Sequence, residues 1–144
     1  MDGYGEEHNK EDGYTYKGEF KKSKRTGHGI MLFDDGSKHE GEWLDNLKNG
    51  KGRYDYPNSD SYYDGMYKNS QIHGYGEYHD EQNGWTYKGE FKKGAQNGHG
   101  IMVDQDGTKY EGEWLNSLKH GKGTHTSPNG DTIIGTWTHG KMDG

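Results

Sequence analysis

The chain has 144 residues, 26 of them glycine, with no cysteine and a formal net charge of −6 at pH 7. The acidic balance disfavours non-specific adhesion to nucleic acid or anionic membranes, which select basic surfaces, and the lack of cysteine excludes disulfides and thiolate chemistry. A hydrophobic fraction of 25% argues against a large globular core, while an aromatic fraction of 13% argues against disorder.

The first recurring element is a short strand with the pattern aromatic-x-Gly-x-aromatic. In its first copy, alternation places Tyr16, Gly18 and Phe20 on one face of the strand and Lys17 and Glu19 on the other. We call these the aromatic face and the polar face. We predict one repeat array over residues 1–144, with a partial repeat at 3–15 and repeats that start near residues 16, 39, 63, 87, 110 and 133.

A second strand follows in each repeat and contains Gly-x-Gly, first at residues 27–29. Lysine-rich loops are predicted between the two strands of a repeat, as at residues 21–26. Repeats are joined by turns such as Asp34–Gly36, a three-residue loop that should hold glycine in the left-handed conformation and pair Phe33 with Ser37. With that register the glycines of neighbouring strands share the aromatic face.

A longer period lies above the repeat. TYKGEFKK at residues 15–22 returns at 86–93, and EGEWL at 40–44 returns at 111–115. Both are displaced by three repeats. We therefore expect either a duplicated three-repeat block or a piece of a longer array, and favour the second.

The glycines are best explained by packing. Glycine weakens a strand and is kept where another group must approach the backbone closely. Each large ring can lie over the glycines of the adjacent strand, so that a stripe of rings replaces a core, and valine at Gly41 or Gly112 should destabilise the array. A phosphate-binding glycine loop would need a following helix, and no segment has helical periodicity.

The unit Y-x-G-x-[FW], followed by G-x-G and then [DN]-G, resembles the MORN (membrane occupation and recognition nexus) repeat, with five full copies and partial ends. The resemblance implies an all-β fold, an elongated, twisted, single-layer antiparallel sheet of tandem β-hairpins. It also implies a non-catalytic protein-interaction scaffold, cytoplasmic and cytoskeletal, ciliary or membrane-adjacent. Family members include radial-spoke head proteins and parasite cytoskeletal organisers.

The expected partner is a protein helix or peptide in the groove on the aromatic face, with self-association as a further option and no nucleic acid. Candidate partner-binding residues are Tyr16, Phe20, Trp43, Tyr63, Tyr67, Tyr87, Phe91, Tyr110 and Trp114. Two alternatives stay open: a phospholipid-headgroup module, with weak membrane contact, and a regulatory domain of a larger enzyme. A basic edge for anionic lipid would comprise Lys21, Lys22, Lys24 and Arg25.

Other chemistries are weaker interpretations of the same residues. Asp34–Gly36 and Asp104–Gly107 faintly resemble calcium loops but lack the distal glutamate and flanking helices of an EF-hand. The nine histidines lack the close spacing of a zinc site. Glutamates at 19, 42, 90 and 113 form a repeated polar ladder without a distinctive catalytic pair. We therefore predict no enzyme activity, cofactor or metal site.

Two surface patterns remain. Loops within repeats carry a summed charge of +8 and loops between repeats −8, which predicts one basic and one acidic edge. Exposed apolar pairs recur 71 residues apart on the polar face and could mark equivalent docking positions or make contacts within the loops: Ile30 and Leu32 with Ile101 and Val103, and Leu44 and Leu47 with Leu115 and Leu118.

Overall fold

The computed structural model describes residues 2–143, which contain β-strands and no helix, so the all-β prediction is confirmed. The chain divides into two compact units, Met1–Gln71 and Ile72–Gly144. The first contains β1 (Gly3–Asn9), β2 (Tyr14–Lys21), β3 (Lys24–Phe33), β4 (Lys38–Leu44), β5 (Leu47–Asp55), β6 (Tyr62–Lys68) and the first residue of β7 (Gln71–Asp80). The rest of β7 and β8 (Trp85–Lys92), β9 (Ala95–Val103), β10 (Lys109–Leu115), β11 (Leu118–Thr126), β12 (Thr132–Thr138) and β13 (Lys141–Met142) lie in the second.

Within each unit, neighbouring strands in the sequence are antiparallel neighbours in the sheet, as expected of tandem hairpins. One glycine per strand lies directly opposite one on the next, which gives each unit a continuous row of facing glycines. The rows comprise Gly5, Gly18, Gly29, Gly41, Gly52 and Gly65 in the first unit, and Gly76, Gly89, Gly100, Gly112, Gly123 and Gly135 in the second.

The turns between repeats follow the predicted register. The Phe33 amide donates to the Ser37 carbonyl at 3.0 Å, and the Gly36 amide donates to the Phe33 carbonyl at the same distance. Gly36 has a φ of 95°, the left-handed value that a residue with a Cβ adopts only with strain. These turns determine which side chains lie on the aromatic face, because a slip of one residue would move every ring of a strand to the other face.

The loops within repeats differ from the prediction. In place of six-residue loops, the structure has two-residue turns, such as Lys22 and Ser23 between β2 and β3. Both residues have positive φ, 51° and 64°, as in a type I′ hairpin turn. The same turn recurs at Asp45 and Asn46, with φ of 48° and 71°. The strands are therefore longer than expected and end in tight, regular tips.

Burial alternates along the strands as the period-two pattern predicted, with the aromatic face covered and the polar face open. In the part of the chain that the structure describes, no helix could cross a membrane.

Candidate functional site

The tyrosines of the aromatic face are anchored at both ends. Each ring lies over the glycine row, and its hydroxyl donates to the backbone carbonyl of the third residue along the same strand, at 3.0 Å for Tyr16 and 2.9 Å for Tyr87. Tyr63 and Tyr110 repeat the bond at 2.8 and 3.1 Å. Burial raises the pKa of Tyr16 to about 12 and that of Tyr63 further, which keeps these hydroxyls protonated as donors.

The rings also contact one another edge to face along the stripe. Tyr110 lies between Trp114 and Trp137, with centroid distances of 5.3 and 5.0 Å and interplanar angles of 89° and 76°. Tyr16 has the same relation to Phe20 and Trp43. Each such pair adds about 0.5–1.5 kcal/mol beyond the burial of its area. The stripe thus supplies the cohesion that a core gives an ordinary domain.

All nine candidate partner-binding rings are buried, with exposed fractions from 0% for Tyr16 to 8% for Phe20. Within each unit the structure brings them together as predicted, but as packing, and they offer little surface to a ligand. That a partner binds at Tyr16, Phe20, Trp43, Tyr63, Tyr67, Tyr87, Phe91, Tyr110 or Trp114 stays a prediction.

A basic residue covers the rings at the second position after several two-residue turns. The Arg25 guanidinium lies 5.2 Å from the Trp43 ring and donates to the Glu7 carboxylate at 2.7 Å. Lys48 and Lys119 occupy the equivalent position over tyrosine rings. These are cation–π contacts, which also shield the rings from water.

This arrangement corrects the predicted basic edge. Lys21, Lys22 and Lys24 are exposed there, but Arg25 is turned onto the aromatic face, with a side chain that is 14% exposed. The guanidinium is already paired and packed, so it is not available as an edge cation. The positive charge of the tips is therefore smaller than the sequence sum suggests.

His39 replaces tyrosine in the second repeat and is the least satisfied side chain of the stripe. It is fully buried, with Trp43 5.5 Å and Tyr67 4.9 Å from its ring, and neither ring nitrogen has a hydrogen-bond partner. Burial, with a smaller contribution from the nearby Lys48 ammonium, lowers its pKa to about 3. The imidazole is therefore neutral and held only by packing.

Sequence reasoning missed the role of the repeated glutamates. Beside the β-bulges that interrupt the β2–β3, β4–β5 and β8–β9 pairings, where a glycine such as Gly98 has a φ of 103°, a glutamate carboxylate accepts the next backbone amide. Glu90 accepts from the His99 amide at 3.0 Å, and Glu42 accepts from the Lys51 amide at the same distance. Glu19 and His28 are joined in the same way. The constant nine-residue separation of each pair was the available signal.

The aspartates of the loops between repeats are also used locally. Asp35 accepts hydrogen bonds from the Ser37 amide and hydroxyl at 2.9 and 2.6 Å, which lower the pKa of its carboxyl. Asp106 accepts from the Thr108 amide at 2.9 Å. Residues 2–143 contain no group of three or more histidine, aspartate or glutamate side chains placed to hold a metal ion.

The apolar pairs lie on the polar face, as expected. Leu32 is 39% exposed and Val103 40%, while Ile30 and Ile101 are half-buried. Leu44 faces Leu47, and Leu115 faces Leu118, directly across their turns, and all four are 40–48% exposed. Each unit therefore presents the same apolar positions on the same strands.

Comparison with known proteins finds partial sequence similarity to Alsin. The chain is 32% identical to Alsin of Homo sapiens over 92 residues, 61% of this chain and 6% of that protein. It is also 32% identical to Alsin of Rattus norvegicus over 114 residues, 72% of this chain and 7% of the relative. The chain thus spans only a small part of the relatives it matches.

The solved SAS-4 (dCPAP) TCP domain, in complex with a proline-rich motif of Ana2 (dSTIL) of Drosophila melanogaster, is a distant structural neighbour. It has 16% identity and a TM-score of 0.33, and the match covers 93% of this chain and 90% of that one. The MORN repeat profile matches residues 16–38, 39–61, 63–84, 87–109, 110–132 and 134–144. Since these segments cover most of the sequence and follow its repeats, the chain belongs to the MORN repeat family.

Proposed function

We propose that this chain is a non-catalytic scaffold that binds other proteins through its polar face. The observation that carries the proposal is the recurrence of exposed apolar side chains at equivalent strand positions in both units: Leu32 and Val103, and the pairs Leu44 with Leu47 and Leu115 with Leu118. Side chains of this kind lose contact with water when a partner covers them, and that burial favours association. The buried rings leave the opposite face as the larger source of such surface.

A structural role also fits the polar groups. The bulge glutamates Glu42 and Glu90 accept backbone amides, and the turn aspartates accept amides or hydroxyls of their own loops. These carboxylates stabilise the hairpins, which supports a scaffold over a general acid–base site. Cytoskeletal or ciliary association and self-association are the settings that the family resemblance favours. A regulatory module within a larger enzyme is a further setting that the family resemblance leaves open.

The test is partner capture with chemical cross-linking and mass spectrometry, using the full chain and two variants. We expect proteins to be cross-linked to the polar face of the wild type, and to be lost when Ile101 and Val103 are both changed to serine. The control changes the exposed Lys88 to serine and should retain them. Capture that is unaffected by the apolar change, or no protein above the background of unmodified resin, would contradict the proposal.

Membrane binding is the second candidate function, and the exposed Lys21, Lys22 and Lys24 favour it. We nevertheless expect weak co-sedimentation with phosphatidylserine-containing liposomes at physiological salt, because the net charge is −6 and Arg25 is engaged with Glu7. Changing the three lysines to glutamine should then alter little. Strong co-sedimentation that this change abolishes would favour a lipid module.

A further inference from the structure

The residues that flank the two-residue turns form a row across the polar face of each unit. In the first unit Lys21 faces Lys24, Leu44 faces Leu47, and Lys68 ends the next strand. In the second unit the row runs from Lys92 through Leu115 and Leu118 to Lys141. We call this the turn row. Both units have a leucine pair with lysine on either side.

Hydrogen bonds between neighbouring turns hold the turn row in place. The Asn46 amide donates to the Arg25 carbonyl at 3.0 Å, and the Ser70 amide donates to the Lys48 carbonyl at 2.8 Å. The second unit repeats the pattern, with the Ser117 amide donating to the Gln96 carbonyl at 2.9 Å. Because the backbone beneath the leucines is already fixed, binding there would order little of the chain.

We propose that the turn row binds an acidic amphipathic α-helix of a partner protein. Apolar side chains of the helix would cover the leucine pair, and its carboxylates would meet the lysines on both sides. This inference rests on the proposed scaffold function and names the chemistry of the partner.

The spacing of the row matches a helix that lies across the strands. Adjacent strands are about 4.8 Å apart, so successive tips, two strands apart, are separated by about 10 Å. A helix rises about 1.5 Å per residue, so about seven residues cover the same distance on one face. The partner should therefore carry acidic residues about seven positions before and after its apolar anchors.

The charges around the row favour a helix over a bilayer. Asp45 lies in the leucine turn of the first unit, and Glu42 and Glu113 lie two residues before Leu44 and Leu115 along their strands. A flat anionic surface would bring its phosphates close to these carboxylates, whereas a helix can place its acids over the lysines alone. In the second unit Asn116 stands where Asp45 stands in the first, and Ala95 stands where Lys24 stands, so the two turn rows have the same net charge.

The experiment measures binding of a fluorescent synthetic helix of about 20 residues to the full chain by anisotropy. The peptide carries two central leucines one turn apart and glutamates about seven residues to each side. A charge-reversed peptide has lysines in place of the glutamates. We expect the acidic peptide to bind and the reversed one to bind at least about tenfold more weakly, with the difference reduced by salt.

Variants of exposed residues locate the contact. Changing Leu44, Leu47, Leu115 and Leu118 together to serine should weaken binding of the acidic peptide about tenfold, and changing either pair alone should remove one of two equivalent sites. Ile134→Ser is the matched control, since this side chain is 82% exposed but outside the row, and it should bind as the wild type does. Circular dichroism checks that every variant is folded.

Equal affinity for both peptides, no loss with the leucine variants, or an equal loss with Ile134→Ser would overturn the inference. So would leucine variants that lose only sedimentation with phosphatidylserine vesicles, which would identify the row as a membrane contact. If the peptides fail while the cross-linked partners are still captured, the turn row is refuted and the scaffold stands. If no protein is captured either, the proposed function fails as well.

Discussion

Gly112→Ala should lower the free energy of unfolding by on the order of 3 kcal/mol, although alanine is ordinarily better than glycine in a strand. A Cβ at this position would lie 2.6 Å from the Gly123 Cα, 2.6 Å from the Lys122 carbonyl oxygen and 2.7 Å from the Tyr110 hydroxyl. Two of these three atoms belong to the backbone of the paired strand, so the steric clash can be relieved only if the two strands move apart.

Gly135 provides the matched control because it occupies the same place in the sixth repeat. There a Cβ would meet only the Met142 side chain at 3.4–3.6 Å and the Trp137 ring at 3.7 Å, which are ordinary contacts. We expect Gly135→Ala to be neutral or to stabilise by roughly 0.5 kcal/mol. Urea unfolding followed by tryptophan fluorescence measures both. Similar losses for the two variants would show that the close facing of glycine rows is not what requires glycine.

The sequence predicted only part of the reason why these glycines are needed. Valine at Gly41 was expected to collide with a neighbouring ring, but the nearest atoms to a Cβ there are the Gly52 Cα and the Lys51 carbonyl oxygen, at 2.5 and 2.6 Å. Rings are the obstacle at the partner glycines, where Tyr110 covers Gly123. The alternation of residues along a strand shows which side chains share a face. It does not show how closely two paired backbones approach, which depends on the assembled strands.

Register was predictable because its cause is local. The Asp34–Gly36 turn and the alternation on either side of it fix the pairing of Phe33 with Ser37, which the structure confirms. Every later pairing in the unit then follows from repetition. The aromatic stripe could be derived for the same reason, since it requires only that each strand keep its parity.

The turn at Lys22 and Ser23 was not predictable from its own residues. Lys22 and Ser23 adopt positive φ although neither has the preference of glycine or asparagine for that region. The turn is held from outside its own hairpin, since the Lys22 amide donates to the Asp2 carboxylate at 2.6 Å. In the next turn the Asn46 amide donates to the Arg25 carbonyl. Such contacts exist only once neighbouring repeats are assembled.

The candidate site shows the same limit. Lys21 and Arg25 look alike in sequence, and both were placed on a basic edge, but the structure separates them because Arg25 can reach Glu7, Tyr14 and Trp43. Those partners are 18, 11 and 18 positions away in the chain. Whether a basic side chain near a turn stays exposed or packs on the aromatic face therefore depends on the rings and carboxylates of the adjacent repeats.

His39→Tyr should stabilise the chain, by about 1–2 kcal/mol at pH 7. The variant restores the side chain that Tyr16 and Tyr110 provide at equivalent positions, where the hydroxyl donates to a backbone carbonyl at 3.0 and 3.1 Å. By analogy the new hydroxyl should reach the carbonyl of Glu42. The change also removes two buried ring nitrogens that lack hydrogen-bond partners.

The gain should grow as the pH falls. The pKa of His39 is lowered from 6.5 to about 3 in the folded chain, so between these values the unfolded chain binds a proton that the folded chain excludes. Wild-type stability should therefore be fully present above pH 6.5 and fall by up to about 1.4 kcal/mol per pH unit as the pH drops toward 3. Between pH 7 and pH 5 this amounts to about 2 kcal/mol.

Denaturant unfolding of wild type and His39→Tyr at pH 7, 6 and 5 tests both statements. His28→Gln serves as the control, because it also removes one histidine, but one whose side chain is 60% exposed. We expect the stability difference between His39→Tyr and wild type to widen steadily from pH 7 to pH 5. Parallel pH profiles would mean that His39 is protonated in the folded chain, and that the aromatic face admits water or a counter-charge beside it.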